Sequence, residues 1–223
     1  MEKISIKNII DFRRKSQKSK ITFVNNLNKP KKPSESGGDY WISCLSAISN
    51  SFKYNSNINI TEKIDELEFG IDATPHKITK TMYQRNIDIL YNFEDYDFTI
   101  LKPTSNLTFL KKPKSISILN IHGLPIQVLP NHVYSFEENG ARFIGAIWFV
   151  AKLDGYKKDE IALFTEGIYK YLEVNHSDEY LIHPKHCIAI DVNTCKEVNY
   201  LDILNNKNLQ SLESSVDLIK ELI

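Results

Sequence analysis

The sequence predicts an α+β fold: a helical N-terminal half followed by a small, mostly antiparallel sheet that contains one crossover helix. Three observations carry that expectation. Apolar residues recur at helical spacing up to about residue 110, short β-like runs bounded by Gly, Pro and Asn lie between about 115 and 200, and one amphipathic stretch interrupts those runs. The organisation that follows is a basic arm and linker over 1–36, a helical region over 37–112, and an α+β core with a closing helix over 113–223.

Ser5 stands where an N-cap belongs, ahead of Ile6, Ile9, Ile10 and Arg13 at helical spacing, and the polar, basic residues 16–20 are expected to end that helix. Residues 29–38, with Pro30, Pro33, Gly37 and Gly38 among charged and small residues, read as a linker and hinge. Asp39 is placed to cap the next helix, on which Trp41, Leu45, Ile48 and Phe52 form one apolar stripe. Thr74-Pro75 opens another, with proline at the first helical position. Ile78, Met82 and Ile89 make one of its stripes and Tyr83, Ile87 and Leu90 the next, while Arg85 and Asn86 are expected to be satisfied inside the fold.

The second half opens with β-like runs at 115–121 and 125–129 around a His122-Gly123 turn. Runs at 132–136 and 142–152 then flank Asn139-Gly140, which supplies the positive φ angles of a tight hairpin. Phe143, Ile147 and Phe149 face one way and Ile144, Trp148 and Val150 the other, so this strand belongs in the middle of a sheet covered on both sides. An amphipathic helix over 157–173 follows, with Ile161, Phe164 and Ile168 on its apolar side and Glu166 four residues before Lys170. Strands at 186–192 and 196–200 flank Asn193-Thr194, and Leu209, Leu212, Val216 and Ile219 mark the closing helix.

With 223 residues, 42% of them hydrophobic and 25% charged, the chain buries a core without disulfide or metal staples, which excludes a disordered protein. Three cysteines, Cys44, Cys187 and Cys195, form no disulfide framework and point to a reducing, cytoplasmic compartment. The longest apolar run, 144–151, is far short of a membrane span, so no membrane is expected among the partners. Abundant Lys, Asn and Ile suggest A/T-rich coding and a prokaryotic or phage source.

Net charge is zero, yet residues 1–35 hold ten basic residues against three acidic ones, a local +7 that leaves −7 on the rest. Arg13, Arg14, Lys15, Lys18 and Lys20 are therefore the candidate phosphate contacts for nucleic acid. The alternative is that the arm folds back onto the acidic body.

No phosphate-binding loop, G-x-G-x-x-G, G-x-S-x-G, H-E-x-x-H or EF-hand loop occurs, which argues against nucleotide hydrolysis and the common hydrolase chemistries. His183, His186, Cys187 and Cys195 match the spacing of no zinc module, and no metal ligand set is assigned. Asp191 interrupts an apolar strand and reads as a cap of the Asn193-Thr194 turn or as a site residue. Eleven Tyr and eleven Phe sit at core spacing, not interleaved with Lys and Arg as single-strand stacking platforms are.

The order strand, strand, strand, helix, strand over 115–200 resembles the core of the PD-(D/E)XK nuclease superfamily, including RecB-like and Cas4-like exonucleases. That resemblance implies a divalent-metal enzyme in which an acid near the second core strand and a D/E-x-K on the third hold Mg²⁺ or Mn²⁺ and polarise water. Glu137 or Glu138 stands in the first place and Lys152 in the lysine place, but Val150 occupies the position two residues earlier. A displaced second acid would be Glu160 or Glu166 on the following helix, or Asp154 in the loop. Thr165 and Tyr169 stand where that family's Q-x-x-x-Y element has its glutamine and tyrosine.

Because the strand acid is missing, the leading expectation is a noncatalytic prokaryotic or phage accessory protein without a cofactor. It would bind a protein partner or nucleic acid, as part of a defence or mobile-element system or as a subunit of a larger complex. The alternative is a Mg²⁺- or Mn²⁺-dependent nuclease using Glu137, Glu138, Lys152 and Glu166.

Overall fold

A computed structural model gives the fold and describes residues 3–27, 40–111, 117–206 and 211–223. The hinge expected at 29–38, the Asp39 cap, the start of the 115–121 strand and Leu209 lie outside the described residues.

A two-residue strand, β1 (Ile4–Ser5), runs directly into α1 (Ile6–Arg13), where Ser5 Oγ accepts the Asn8 amide at 3.1 Å as the expected N-cap. Helix α2 (Gln17–Leu27) replaces the basic loop expected to end α1; Lys and Gln are good helix formers, and buried Val24 with Phe23 and Leu27 anchors it to the core. Then come α3 (Ile42–Tyr54), α4 (Ile58–Ala73) and α5 (Lys77–Tyr91), and a 3-10 turn at Phe98–Leu101. Helix α5 starts two residues after Pro75 and packs through its C-terminal half: Ile87, Ile89 and Leu90 are buried, while Ile78 is 83% exposed, contrary to the expected stripe. Asn86 is satisfied internally, accepting the Cys44 amide at 3.1 Å and donating to the Tyr40 carbonyl at 3.0 Å.

The strands are β2 (Thr108–Phe109), β3 (Ile118–Ile121), β4 (Leu124–Gln127), β5 (His132–Glu138), β6 (Ala141–Val150), β7 (Leu181–Asp191) and β8 (Lys196–Asn199). Helix α6 (Lys158–His176) connects β6 to β7, and α7 (Tyr200–Asn205) and α8 (Leu212–Lys220) close the chain. The main sheet has the order β2-β5-β6-β7-β8, antiparallel except for the β6–β7 pair that α6 bridges. The runs at 115–121 and 125–129 do not extend this sheet as a meander. Strand β4 pairs with β3 on one side and in parallel with β1 on the other, making a separate three-stranded sheet.

The β5–β6 hairpin turns at Asn139 (φ 52°) and Gly140 (φ 77°), the two left-handed positions its turn type requires. Both faces of β6 are covered. Ile144, Ala146 and Val150 pack with α1, α6, α8 and the small sheet; Ile147 and Phe149 pack with α3, α4, α5 and Phe98. Helix α6 is wedged between the main sheet and α1, and Gly167 makes that approach possible, because a Cβ there would collide with Ile6 Cδ1 and touch Val128 Cγ2 at 3.5 Å. No described helix is long and apolar enough to cross a membrane.

Candidate functional site

The C-terminus of α1 meets the N-terminus of α6, and the basic arm's arginines are occupied there. Arg13 Nη2 donates to Asp159 Oδ2 at 2.9 Å. Arg14 Nε donates to Glu160 Oε1 at 2.6 Å, while its Nη2 reaches Glu160 Oε2 and, at 3.2 Å, the Gly155 carbonyl. Burial pushes the Glu160 carboxyl up, but hydrogen bonds from Arg14 and from the Lys157 amide outweigh it and hold the group below the usual carboxylate range. Arg13 and Arg14 thus each have a carboxylate partner within the fold. Lys15 and Lys18 remain exposed at the α1–α2 corner, and Lys20 Nζ lies 5.2 Å from the Phe12 ring centre.

The residues assigned to a nuclease are not brought together. Glu137 and Glu138 sit at the hairpin tip opposite Arg142 and Ala141, whereas Lys152 lies beyond the far end of β6. Ten strand residues at about 3.3 Å each put some 30 Å between them. Lys152 Nζ is ion-paired with Asp11. Glu166 accepts the Leu212 amide at 2.6 Å, at the start of α8, and burial raises its carboxyl. This set does not fit the convergent oxygen shell that Mg²⁺ or Mn²⁺ requires, and among the described residues no group of three or more His, Cys, Asp and Glu is arranged to hold a metal.

The other singled-out residues are likewise committed to the fold. Glu160, the acid beside Lys152, is held by Arg14. Asp191 accepts from Thr194 Oγ1 at 2.7 Å, the Asn193 amide at 3.3 Å and the Tyr156 amide at 3.1 Å, so it caps the turn and anchors the β6–α6 loop. Thr165 Oγ1 donates to the Val198 carbonyl at 2.8 Å, and the Tyr169 ring stacks on Tyr200 at 3.8 Å. His183 and His186 lie 4.7 Å apart against Phe136, and burial, with His183 and Lys185 adding to it, pushes His186 down to about 4. Cys187 is fully buried and its thiol is pushed up, the reverse of an activated nucleophile.

A different set of residues forms a cleft of about 510 Å³ between the end of α3, the loop after the 3-10 turn and the edge strand β2. Local sequence builds each wall. Asn55 takes the left-handed conformation (φ 53°, ψ 45°) that ends α3. Asp97 caps the 3-10 turn through the Thr99 amide at 2.9 Å and Thr99 Oγ1 at 2.6 Å, and buried Phe98 and Leu101 pin that turn to the core. Lys102 follows, its Nζ 3.3 Å from Asn55 Oδ1 and 4.8 Å from the Phe52 ring centre. Lys53 Nζ lies between two rings, 5.1 Å from Tyr54 and 5.9 Å from Phe109. Burial lowers the Lys102 ammonium from its ordinary value.

No family model, curated protein or solved structure matches this chain.

What the cleft can do follows from its chemistry. Among the described residues neither Lys53 nor Lys102 has a carboxylate within ion-pair distance, whereas Arg13, Arg14, Lys152 and Lys170 each have one. Two ammonium groups beside the hydroxyls of Thr104 and Ser105 and the carboxamides of Asn55 and Asn106 give the cleft a cationic side, which suits an anion. The interleaving of cations and rings that is missing along the sequence is present in space. Lys102 and Asn55 are 47 residues apart in the chain, so no local pattern announces the cleft.

Proposed function

We propose that this chain is a noncatalytic accessory protein that binds nucleic acid through the cleft of Lys53 and Lys102. The observation that supports this reading is the contrast in charge pairing: the arm's arginines and the nuclease-type lysine are neutralised inside the fold, while these two lysines rest on aromatic rings with their charge directed at no acid. Clustered ammonium groups of this kind release counterions from a phosphate backbone, which supplies sequence-independent affinity. The three free cysteines suit a reducing, cytoplasmic setting.

The test is a mobility shift with labelled DNA and RNA across a salt series, with and without Mg²⁺ or Mn²⁺. The expected result is a salt-sensitive shift without cleavage, weakened about tenfold when Lys53 and Lys102 are both changed to Gln. Unchanged binding by that double variant, or metal-dependent cleavage, overturns the proposal.

A further inference from the structure

We infer that the cleft takes nucleic acid as a single strand, laid along the β2 edge with phosphates at Lys53 and Lys102 and a base stacked on Tyr54. This rests on the function proposed above and narrows it to one ligand class.

Two features of the cleft favour a single strand over a duplex. The first is an available ring: Tyr54, 62% exposed, adjoins the cleft beside Lys53, whereas the Phe109 ring in the wall is packed on His132 and Tyr134. Sites for single strands pair a cationic groove with rings on which unpaired bases stack, and duplex bases are not free to do so. The second is shape. Duplex readers insert a helix or ribbon into a groove. Here the cations line a recess bounded by a helix end, a loop and an edge strand, with Lys102 partly buried in it.

The path also continues. A second cleft, of about 440 Å³, shares Ser105 and Asn106 with the first and runs past Thr108 to Arg142 and Tyr180, with the Glu137 carboxylate also in its wall. There a second cation stands on a ring, although across from Glu137: the Arg142 guanidinium lies 4.7 Å from the Tyr180 ring centre and donates to its hydroxyl at 3.1 Å. A flexible strand can place successive phosphates along this line, from Lys53 and Lys102 at one end to Arg142 at the other.

The experiment uses the full chain and four probes: a labelled single-stranded DNA, the same sequence as RNA, the corresponding duplex, and inorganic tripolyphosphate as competitor. Both single strands are expected to bind at least tenfold more tightly than the duplex. Tyr54→Ser, at an exposed position where folding is undisturbed, should weaken single-strand binding about tenfold without changing its salt dependence. Lys53→Gln with Lys102→Gln should instead flatten the logarithmic salt slope by about 1.4, the contribution of two single-strand phosphates. Equal affinity for duplex and single strand, no effect of Tyr54→Ser, or displacement by tripolyphosphate as readily as by unlabelled strand overturns the inference while leaving nucleic-acid binding intact. Failure of every nucleic acid to bind removes the proposed function itself.

Discussion

Arg14 grips both carboxylate oxygens of Glu160 across 146 residues of sequence, and so ties the end of α1 to the start of α6. The Glu160 side chain is almost completely buried, while that of Arg14 is about one-third exposed. Removing the guanidinium leaves a buried charge without its partner. Arg14→Gln should therefore destabilise the fold by about 2 kcal/mol in urea unfolding, with the exposure of Arg14 holding the figure below that of a fully buried pair. Oligonucleotide affinity should not change. A loss of binding without a loss of stability would return Arg14 to the role of phosphate contact.

The same pair sets an acid limit. The folded-state pKa of Glu160 lies below its unfolded value, because hydrogen bonds from Arg14 and Lys157 outweigh burial. Its stabilisation is thus present above the ordinary carboxylate pKa of about 4.3 and is lost as the pH falls through the folded value. Glu160→Gln should remove that component of acid sensitivity, which a pH series of urea midpoints reads directly.

His186 gives a second dependence at higher pH. Its folded pKa is pushed down to about 4, first by burial and then by His183 and Lys185, against an ordinary value near 6.5; a backbone hydrogen bond to Leu101 opposes the shift, and Glu138 faces the neighbouring His183. The unfolded chain then binds a proton that the folded chain refuses. Stability from this group is complete above about pH 6.5 and declines between 6.5 and 4, by on the order of 3 kcal/mol once protonation is complete. His186→Leu should flatten the thermal midpoint over that interval, and an unaltered slope would count against the burial of a neutral imidazole.

These residues also mark how far the sequence is readable. The Asn139-Gly140 hairpin and the Ser5 cap are visible because each is fixed by neighbours within three residues, and the two-sided apolar pattern of β6 already requires a covered sheet. What is hidden depends on distant partners. The pairing of β1 with β4 joins Ile4 to Ile126, and without it the β3–β4 hairpin looks like the first part of a meander. The basic arm reads as a docking element until Arg13 and Arg14 are seen against Asp159 and Glu160. The cleft of Lys53, Lys102 and Phe109 has no local signature at all, because three separate elements supply it.

The position of Glu166 predicts a stability phenotype rather than a catalytic one. Its carboxylate accepts the Leu212 amide at 2.6 Å, at the first turn of α8, and burial raises its pKa. Glu166→Gln keeps an oxygen acceptor without a buried charge, so its stability should stay within about 1 kcal/mol of the parent at pH 7. Glu166→Ala leaves the Leu212 amide unsatisfied and should cost about 2 kcal/mol, with faster amide exchange in α8 as the local readout. A catalytic carboxylate would instead lose activity as fully in the Gln variant as in the Ala variant.

The close approach of α1 to α6 allows a test by compensation. A methyl group added at Gly167 meets Ile6 Cδ1, and Ile6 is itself buried, so the neighbour has little room to yield. Gly167→Ala gains helix propensity, worth about 1 kcal/mol, yet the clash should outweigh it and leave a net loss of about 1–2 kcal/mol. Ile6→Val removes the offending Cδ1 and alone should cost about 1 kcal/mol through the small cavity it leaves. Combined, the inserted methyl fills the space the other vacates, so the double variant should be more stable than either single one, with a coupling of at least 1 kcal/mol in urea unfolding. Additive losses would mean that α1 and α6 do not meet at this pair and that Gly167 has some other reason to lack a side chain.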